Sequence, residues 1–137
     1  MAAKIPQSAR VSTLQELLNH VIIGNWKLAL LNNPFLITDT TTLANCVAHE
    51  LAVPGYARSL LTGWTTAATG GPFPAASMAQ ALFWPAGVPT AVGIYGYFIV
   101  NSAGTELFGV EDFASGVLVP PIGFPYAPFI TYDLYQH

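Results

Sequence analysis

From Ser59 to Thr105 the chain has no Asp, Glu, Lys, Arg or His, and a second uncharged stretch runs from Phe113 to Tyr132. Both are largely apolar, yet Pro and Gly recur through them: Pro85, Gly87, Pro89, Gly93 and Gly96 all fall between Met78 and Val100. That window is long enough to cross a bilayer, but breakers at this spacing would leave backbone groups without partners in lipid. No membrane span is expected. What remains is a series of short β-branched and aromatic runs divided by Pro and Gly, the pattern of an antiparallel β protein.

Charge decides how such a protein meets its surroundings. Soluble domains draw about a quarter of their residues from Asp, Glu, Lys and Arg, whereas here the share is 8% of 137 residues. Much of the surface must be neutral, and neutral surface is most simply explained by contact with other protein. The four basic residues, Lys4, Arg10, Lys27 and Arg58, are scattered and the net charge is -3, so no stripe exists to follow a phosphate backbone and nucleic-acid binding is not expected. Cys46 is the single cysteine, which excludes an intramolecular disulfide.

The length suits one domain, residues 11–137, behind an extended arm over residues 1–10 that is polar and carries Pro6. The arm does not read as a secretory signal. Ser12 and Thr13 precede Gln15 and Glu16 at capping-box spacing, and Leu14, Leu17, Leu18, Val21 and Ile22 recur at helical intervals, so a helix is predicted over Val11 to Val21, ended by Gly24. Strands are predicted over Asn25 to Leu31, Tyr56 to Trp64, Ser77 to Trp84, Ala91 to Asn101, Thr105 to Phe113 and Ala127 to Leu134. Asn32-Asn33-Pro34 reads as a turn, Asp39 to Thr42 as a polar loop, Thr65 to Ala76 as a loop without hydrophobic period, and Pro54-Gly55 as the centre of a type II turn. Cys46 to Leu51 fits more than one element. The expected fold is mainly β, an antiparallel β-sandwich or jelly-roll-like barrel with one N-terminal α-helix.

One hairpin stands out: Tyr95 to Val100, the link Asn101-Ser102-Ala103-Gly104, then Thr105 to Val110. Tyr95, Tyr97 and Ile99 share one face of its first strand; Ile94, Gly96, Phe98 and Val100 share the other. Both faces are apolar, so both should be covered, and a neutral surface of this kind predicts self-association as a dimer or trimer.

Chemistry is sparse. Cys46 and His49 form C-x-x-H beside Glu50, which could be half a zinc site or a thiol near a base, but further ligands are lacking and a buried apolar cysteine is the simpler reading. Glu106, Glu111 and Asp112 could suggest paired acids. Glu106 and Glu111 should face opposite sides of a regular strand, so a solvated edge or an intersubunit salt bridge to Arg58 fits better. Trp26, Trp64 and Trp84 could form a sugar-stacking platform, or equally a core. No hydrolase, phosphate-loop or zinc-protease motif occurs. No catalytic residue, cofactor or metal ligand is expected.

N-W-K-L-A-L-L-N-N at Asn25 to Asn33, T-L-A at Thr42 to Ala44, P-G-Y-A-R at Pro54 to Arg58, L-T-G-W at Leu61 to Trp64, I-Y-G-Y-F-I-V at Ile94 to Val100, A-G-T-E-L-F at Ala103 to Phe108 and E-D-F at Glu111 to Phe113 together resemble small structural proteins of tailed bacteriophages. The resemblance covers about the middle two-thirds of the chain. It implies a non-enzymatic virion component, first a capsid decoration or cement protein made in the host cytoplasm and bound to the capsid exterior. Its partners would be the major capsid protein and copies of itself. A tail or fibre module that binds a receptor carbohydrate is the second possibility, and a Cys/His hydrolase the third. The arm and the proline-rich end lack the periodicity to build core, so the candidate subunit interface is Ile5, Pro6, Arg10, Tyr95, Tyr97, Pro120, Pro121, Phe124 and Tyr126.

Overall fold

The computed structural model describes residues 6, 9, 26–67, 76–84, 92–113, 116–122 and 124–133, with the backbone alone described for 63–67, 76–78 and 131–133. The helix expected over Val11 to Val21 lies outside these residues, as do Ile5 and Arg10. The described chain is mainly β, with antiparallel sheets and little helix, as the Pro and Gly punctuation requires. Its strands are β1 (Lys27–Leu31), β2 (Ser59–Leu60), β3 (Thr62–Ala67), β4 (Ala76–Gln80), β5 (Gly96–Val100), β6 (Leu107–Asp112) and β7 (Phe129–Asp133). They form a four-stranded sheet in the order β2-β1-β5-β6 and a three-stranded sheet in the order β3-β4-β7.

The hairpin forms as expected. β5 and β6 pair antiparallel, and the link closes with the Gly104 amide donating to the Asn101 carbonyl at 3.0 Å. The Asn101 side-chain oxygen accepts from the amides of Thr105 and Glu106, while Gly104 takes φ +71, a conformation that costs little without a Cβ. Between Ile99 and Val100 the register shifts, so that Phe108 is an extra residue on β6. This bulge breaks the simple alternation from which the placing of Glu106 and Glu111 was expected. Every residue of Gly96 to Val100 is buried, so both faces of β5 are covered.

Elsewhere the chain departs from its periodicity. The run Tyr56 to Trp64, expected as one strand, is split between the sheets: β2 pairs with β1, β3 pairs with β4, and Leu61 between them is fully buried with its amide on the Trp26 carbonyl. Thr65, Thr66 and Ala67, expected in a loop, extend β3 opposite Met78, Ser77 and Ala76. Threonine tolerates this because its branched side chain suits a pleated surface. The ambiguous stretch holds a short helix, α1 (Leu43–Ala48), whose N-cap is Thr42. The Thr42 hydroxyl accepts from the Asn45 amide and the Asn45 side chain accepts from the Thr42 amide, a reciprocal capping box that gives acceptors to two otherwise unpaired backbone donors.

The core joins Leu28, Leu30, Leu31, Phe98, Ile99, Val100, Phe108 and Val110 with Trp26, which stacks on Phe108 at 4.2 Å between ring centroids. Pro6 and Ala9 are also buried. The arm was expected to be extended and to grip neighbours, but at these two positions it packs against its own domain, and Pro6 has no free surface to offer a partner.

Candidate functional site

A cavity of about 470 Å³ opens where the two sheets end in their edge strands β6 and β7. Its floor comes from the hairpin. Tyr97 and Glu111 are direct cross-strand partners, so the pleat sends both side chains to one face, and the Tyr97 hydroxyl donates to the Glu111 carboxylate. Both residues are about 95% buried, with relative exposures of 5% and 4%. Phe113, just beyond β6, adds an aromatic wall and tilts against the Tyr97 ring.

Two isolated bridges hold the other walls. Ile94 and Leu118 exchange two backbone hydrogen bonds of 2.8 Å, fixing Val117 and Leu118 over the opening after Gly116 turns the chain at φ +106. Phe83 and Tyr126 exchange two more, which sets the Tyr126 ring beside the cavity. β7 then contributes Phe129 and Ile130, in register with Gln80 and Ala79 of β4.

Burial pushes the Tyr126 phenol up to about 12. Tyr97 is raised further, first by burial, then by its hydrogen bond to Glu111 and that group's charge, with a smaller contribution from Tyr126. Both phenols therefore stay protonated through the neutral range, and Tyr97 donates to Glu111. Among the described residues no His, Cys, Asp and Glu cluster could hold a metal ion. The cavity can bind and orient a neutral molecule through aromatic walls and a small polar floor.

The residues singled out in the sequence are distributed unevenly around it. Tyr97 and Tyr126 meet in the cavity; Tyr95 is half-buried at the entry to β5, with its carbonyl accepting from the Phe113 amide. Pro120 is buried, Pro121 is exposed, and Phe124 stands 65% exposed. Glu111, Phe113 and Phe129 were not expected in a shared site. Cross-strand pairing of Tyr97 with Glu111 could have indicated one contact, but the chain reversal that brings β7 alongside leaves no local pattern.

Other expected chemistry dissolves into structure. Cys46 is fully buried and its thiol is pushed up to about 12, the reverse of an activated nucleophile. His49 stacks on Phe35 and lies 2.9 Å from the Asn45 carbonyl, while Glu50 turns toward Arg58. Arg58 makes a bidentate pair with Glu50 at 2.9 and 2.8 Å and sits 5.6 Å from the Phe98 ring centroid. Tyr56 completes the group by donating to Glu50 and accepting from the Leu30 amide. Arg58 thus ties its own chain together, and the expected intersubunit bridge from Arg58 to the β6 acids is replaced by this contact. Glu111 is likewise no solvated edge charge.

The tryptophan platform is also redrawn. Trp26 and Trp84 are 4% and 5% exposed, and neither offers a face to a sugar; the Trp64 side chain lies outside the described residues. Trp84 sits at φ 49 with a buried Nε1 that has no hydrogen-bond partner. Within the described residues no helix is long and apolar enough to cross a membrane. Comparison of the chain with protein-family models, curated proteins and solved structures returns no match.

Proposed function

We propose that this chain is a non-enzymatic structural subunit of a viral particle, a decoration or cement protein on the capsid exterior that binds the major capsid protein and copies of itself. One observation carries the reading. Val117, Leu118, Val119, Ile122, Phe124 and Phe129 are between 41% and 68% exposed, within a stretch that has no charged side chain from Phe113 to Tyr132. Summed over these side chains, roughly 600 Å² of apolar surface meets water, against the roughly 800 Å² a side of a standard interface. Covering it gains about 15 kcal/mol before the cost of association, which is itself about 4–15 kcal/mol. Apolar surface of this extent suits binding to a repeated lattice, where several contacts act together.

The mechanism is linkage: a subunit that binds assembled shell better than separated capsid protein stabilises the shell by that difference. The two antiparallel sheets are read as the halves of a jelly-roll sandwich, and the resemblance to phage structural proteins supplies the capsid. Sedimentation velocity and binding to shells assembled from the major capsid protein test the proposal. The parent should sediment as a dimer or trimer and decorate shells, and Ile122→Asp with Phe124→Asp should lose both properties while keeping the parental circular dichroism. A parent that stays monomeric at high micromolar concentration and leaves shells undecorated overturns it.

A further inference from the structure

We propose that β7 pairs edge to edge with the β7 of a second copy, antiparallel about a twofold axis at Thr131, so that two three-stranded sheets become one. The proposal rests on the self-association in the docking reading and gives it a geometry.

Four of the described strands stand at a sheet edge, namely β2, β6, β3 and β7, and they differ in what they offer. β2 is two residues long. β3 has a register shift between Thr62 and Thr65, while β6 carries the bulge at Phe108 and finishes on Glu111 and Asp112. Short strands, bulges and charges are the usual means by which an edge is kept from pairing with another chain. β7 has none of them from Phe129 to Tyr132: its residues pair with β4 in unbroken register, and its first charge is Asp133.

The inner bonds of β7 fix which way its backbone groups point. The Pro128 carbonyl accepts from the Ala81 amide at 3.2 Å, and Tyr126 and Phe83 exchange bonds further along the same pair. Because facing alternates along a strand, Pro128, Ile130 and Tyr132 turn their backbone groups to β4, while Phe129, Thr131 and Asp133 turn theirs outward. Among the described residues nothing pairs with that outward row. Such a row of donors and acceptors is matched by another extended strand, and a twofold axis lets the same edge serve as both partners. Centring the axis on Thr131 makes Thr131 face its own copy and sets Phe129 opposite Asp133 of the second copy, with each of these pairs exchanging both backbone bonds. A parallel alignment would instead bring Asp133 beside its own copy, where like charges repel. Phe129, 68% exposed, belongs both to this edge and to the apolar surface of the docking reading, so the two contacts are continuous.

The test is amide hydrogen exchange by NMR on the full chain at high and at low micromolar concentration, with sedimentation velocity alongside. The concentrated parent should sediment as a dimer, and its Phe129, Thr131 and Asp133 amides should exchange about tenfold more slowly than after dilution. The Ile130 and Tyr132 amides, bonded to β4, should stay protected at both concentrations. Thr131→Pro removes an outward amide and no bond to β4, a change that an edge strand tolerates, and Thr131→Lys places a charge on the edge. Each should weaken the dimer by about tenfold or more while Ile130 and Tyr132 keep their protection. The proposal is overturned by outward amides that exchange freely in the concentrated parent, by a trimer, by a parent that stays monomeric, or by Thr131→Lys associating as tightly as the parent. If association is lost in Ile122→Asp with Phe124→Asp but the outward amides of the parent are free, edge pairing fails and the docking reading survives. If the outward amides are protected and both Thr131 variants fall apart, yet shells stay undecorated by the parent, the capsid role fails and the edge contact stands.

Discussion

Replacing Gly96 with Ala should destabilise the protein by about 3 kcal/mol, because the new methyl group has nowhere to go. A Cβ at Gly96 would lie 2.2 Å from the Glu111 carbonyl oxygen and 2.8 Å from the Asp112 Cα, whereas ordinary contact begins at 3.4 Å. Both obstacles are backbone, so no side chain can swing aside, and relief requires β6 to move away from β5. Overpacking of this kind costs about 1–3 kcal/mol. Loosening two neighbouring hydrogen bonds, among them the 2.8 Å bond from the Phe113 amide to the Tyr95 carbonyl, adds about 1 kcal/mol each. The smaller unfolded-state entropy of alanine offsets about 0.5–1 kcal/mol. With about 2.1 cal/mol/K of unfolding entropy per residue, the melting temperature should fall by about 10 °C. Differential scanning calorimetry of the variant and parent measures it. Gly116→Ala is the control: nothing lies within 4 Å of its added Cβ, so only the strain of φ +106 remains, a cost of about 1–2 kcal/mol. If Gly96→Ala melts within 2 °C of the parent, or no lower than Gly116→Ala, the close approach of β5 and β6 is wrong.

Three further outcomes are expected. Pro54-Gly55 closes its turn with the Tyr56 amide on the Val53 carbonyl and Gly55 at φ +84, so Gly55→Val should lower stability by about 2 kcal/mol in urea denaturation; an unchanged midpoint would contradict the turn. Arg58→Met keeps the packing on Phe98 but leaves Glu50 without its cation, and should cost about 1–3 kcal/mol, with Glu50→Gln in the same background adding far less than it does alone; additive losses would show that the pair is not coupled. Alkaline pH should unfold the protein. Cys46 is raised from 9.0 and Tyr126 from 10.0, both to about 12, and Tyr56 and Tyr97 shift the same way. The folded state therefore keeps protons that the unfolded chain loses, so stability is full below about pH 9 and falls toward pH 12 by about 1.4 kcal/mol per unit for each group titrating. Denaturation midpoints that stay level from pH 9 to 11 would refute this, as would rapid labelling of native Cys46 by a thiol reagent at pH 8.

Local signals were legible where the structure is local. The β5–β6 hairpin, the end of β1 at Asn32-Asn33 and the Pro54-Gly55 turn each depend on residues within a few positions of one another. The Thr42–Asn45 capping box was equally local, but Asn in the last position, where Glu or Gln is usual, hid a helix of six residues. The candidate interface was legible only in part. Phe124 and Pro121 are exposed as a neutral, proline-rich segment suggests, yet Tyr97 in the same set is buried, because a strand that is apolar on both faces does not reveal which residue meets solvent.

The sequence by itself determined that this is an antiparallel β protein with few charges and an apolar, uncharged stretch near its C-terminal end, since Pro, Gly and side-chain branching act on the backbone one residue at a time. The tertiary structure decided the rest. The crossing at Leu61 that splits one apolar run between two sheets, the pairing of Arg58 with Glu50, and the meeting of Tyr97 and Glu111 with Phe129 across the two edge strands all join residues whose partners are chosen by packing. A run that can pair in either sheet carries the same local preference in both, so its sequence is silent where the competition between distant partners makes the choice.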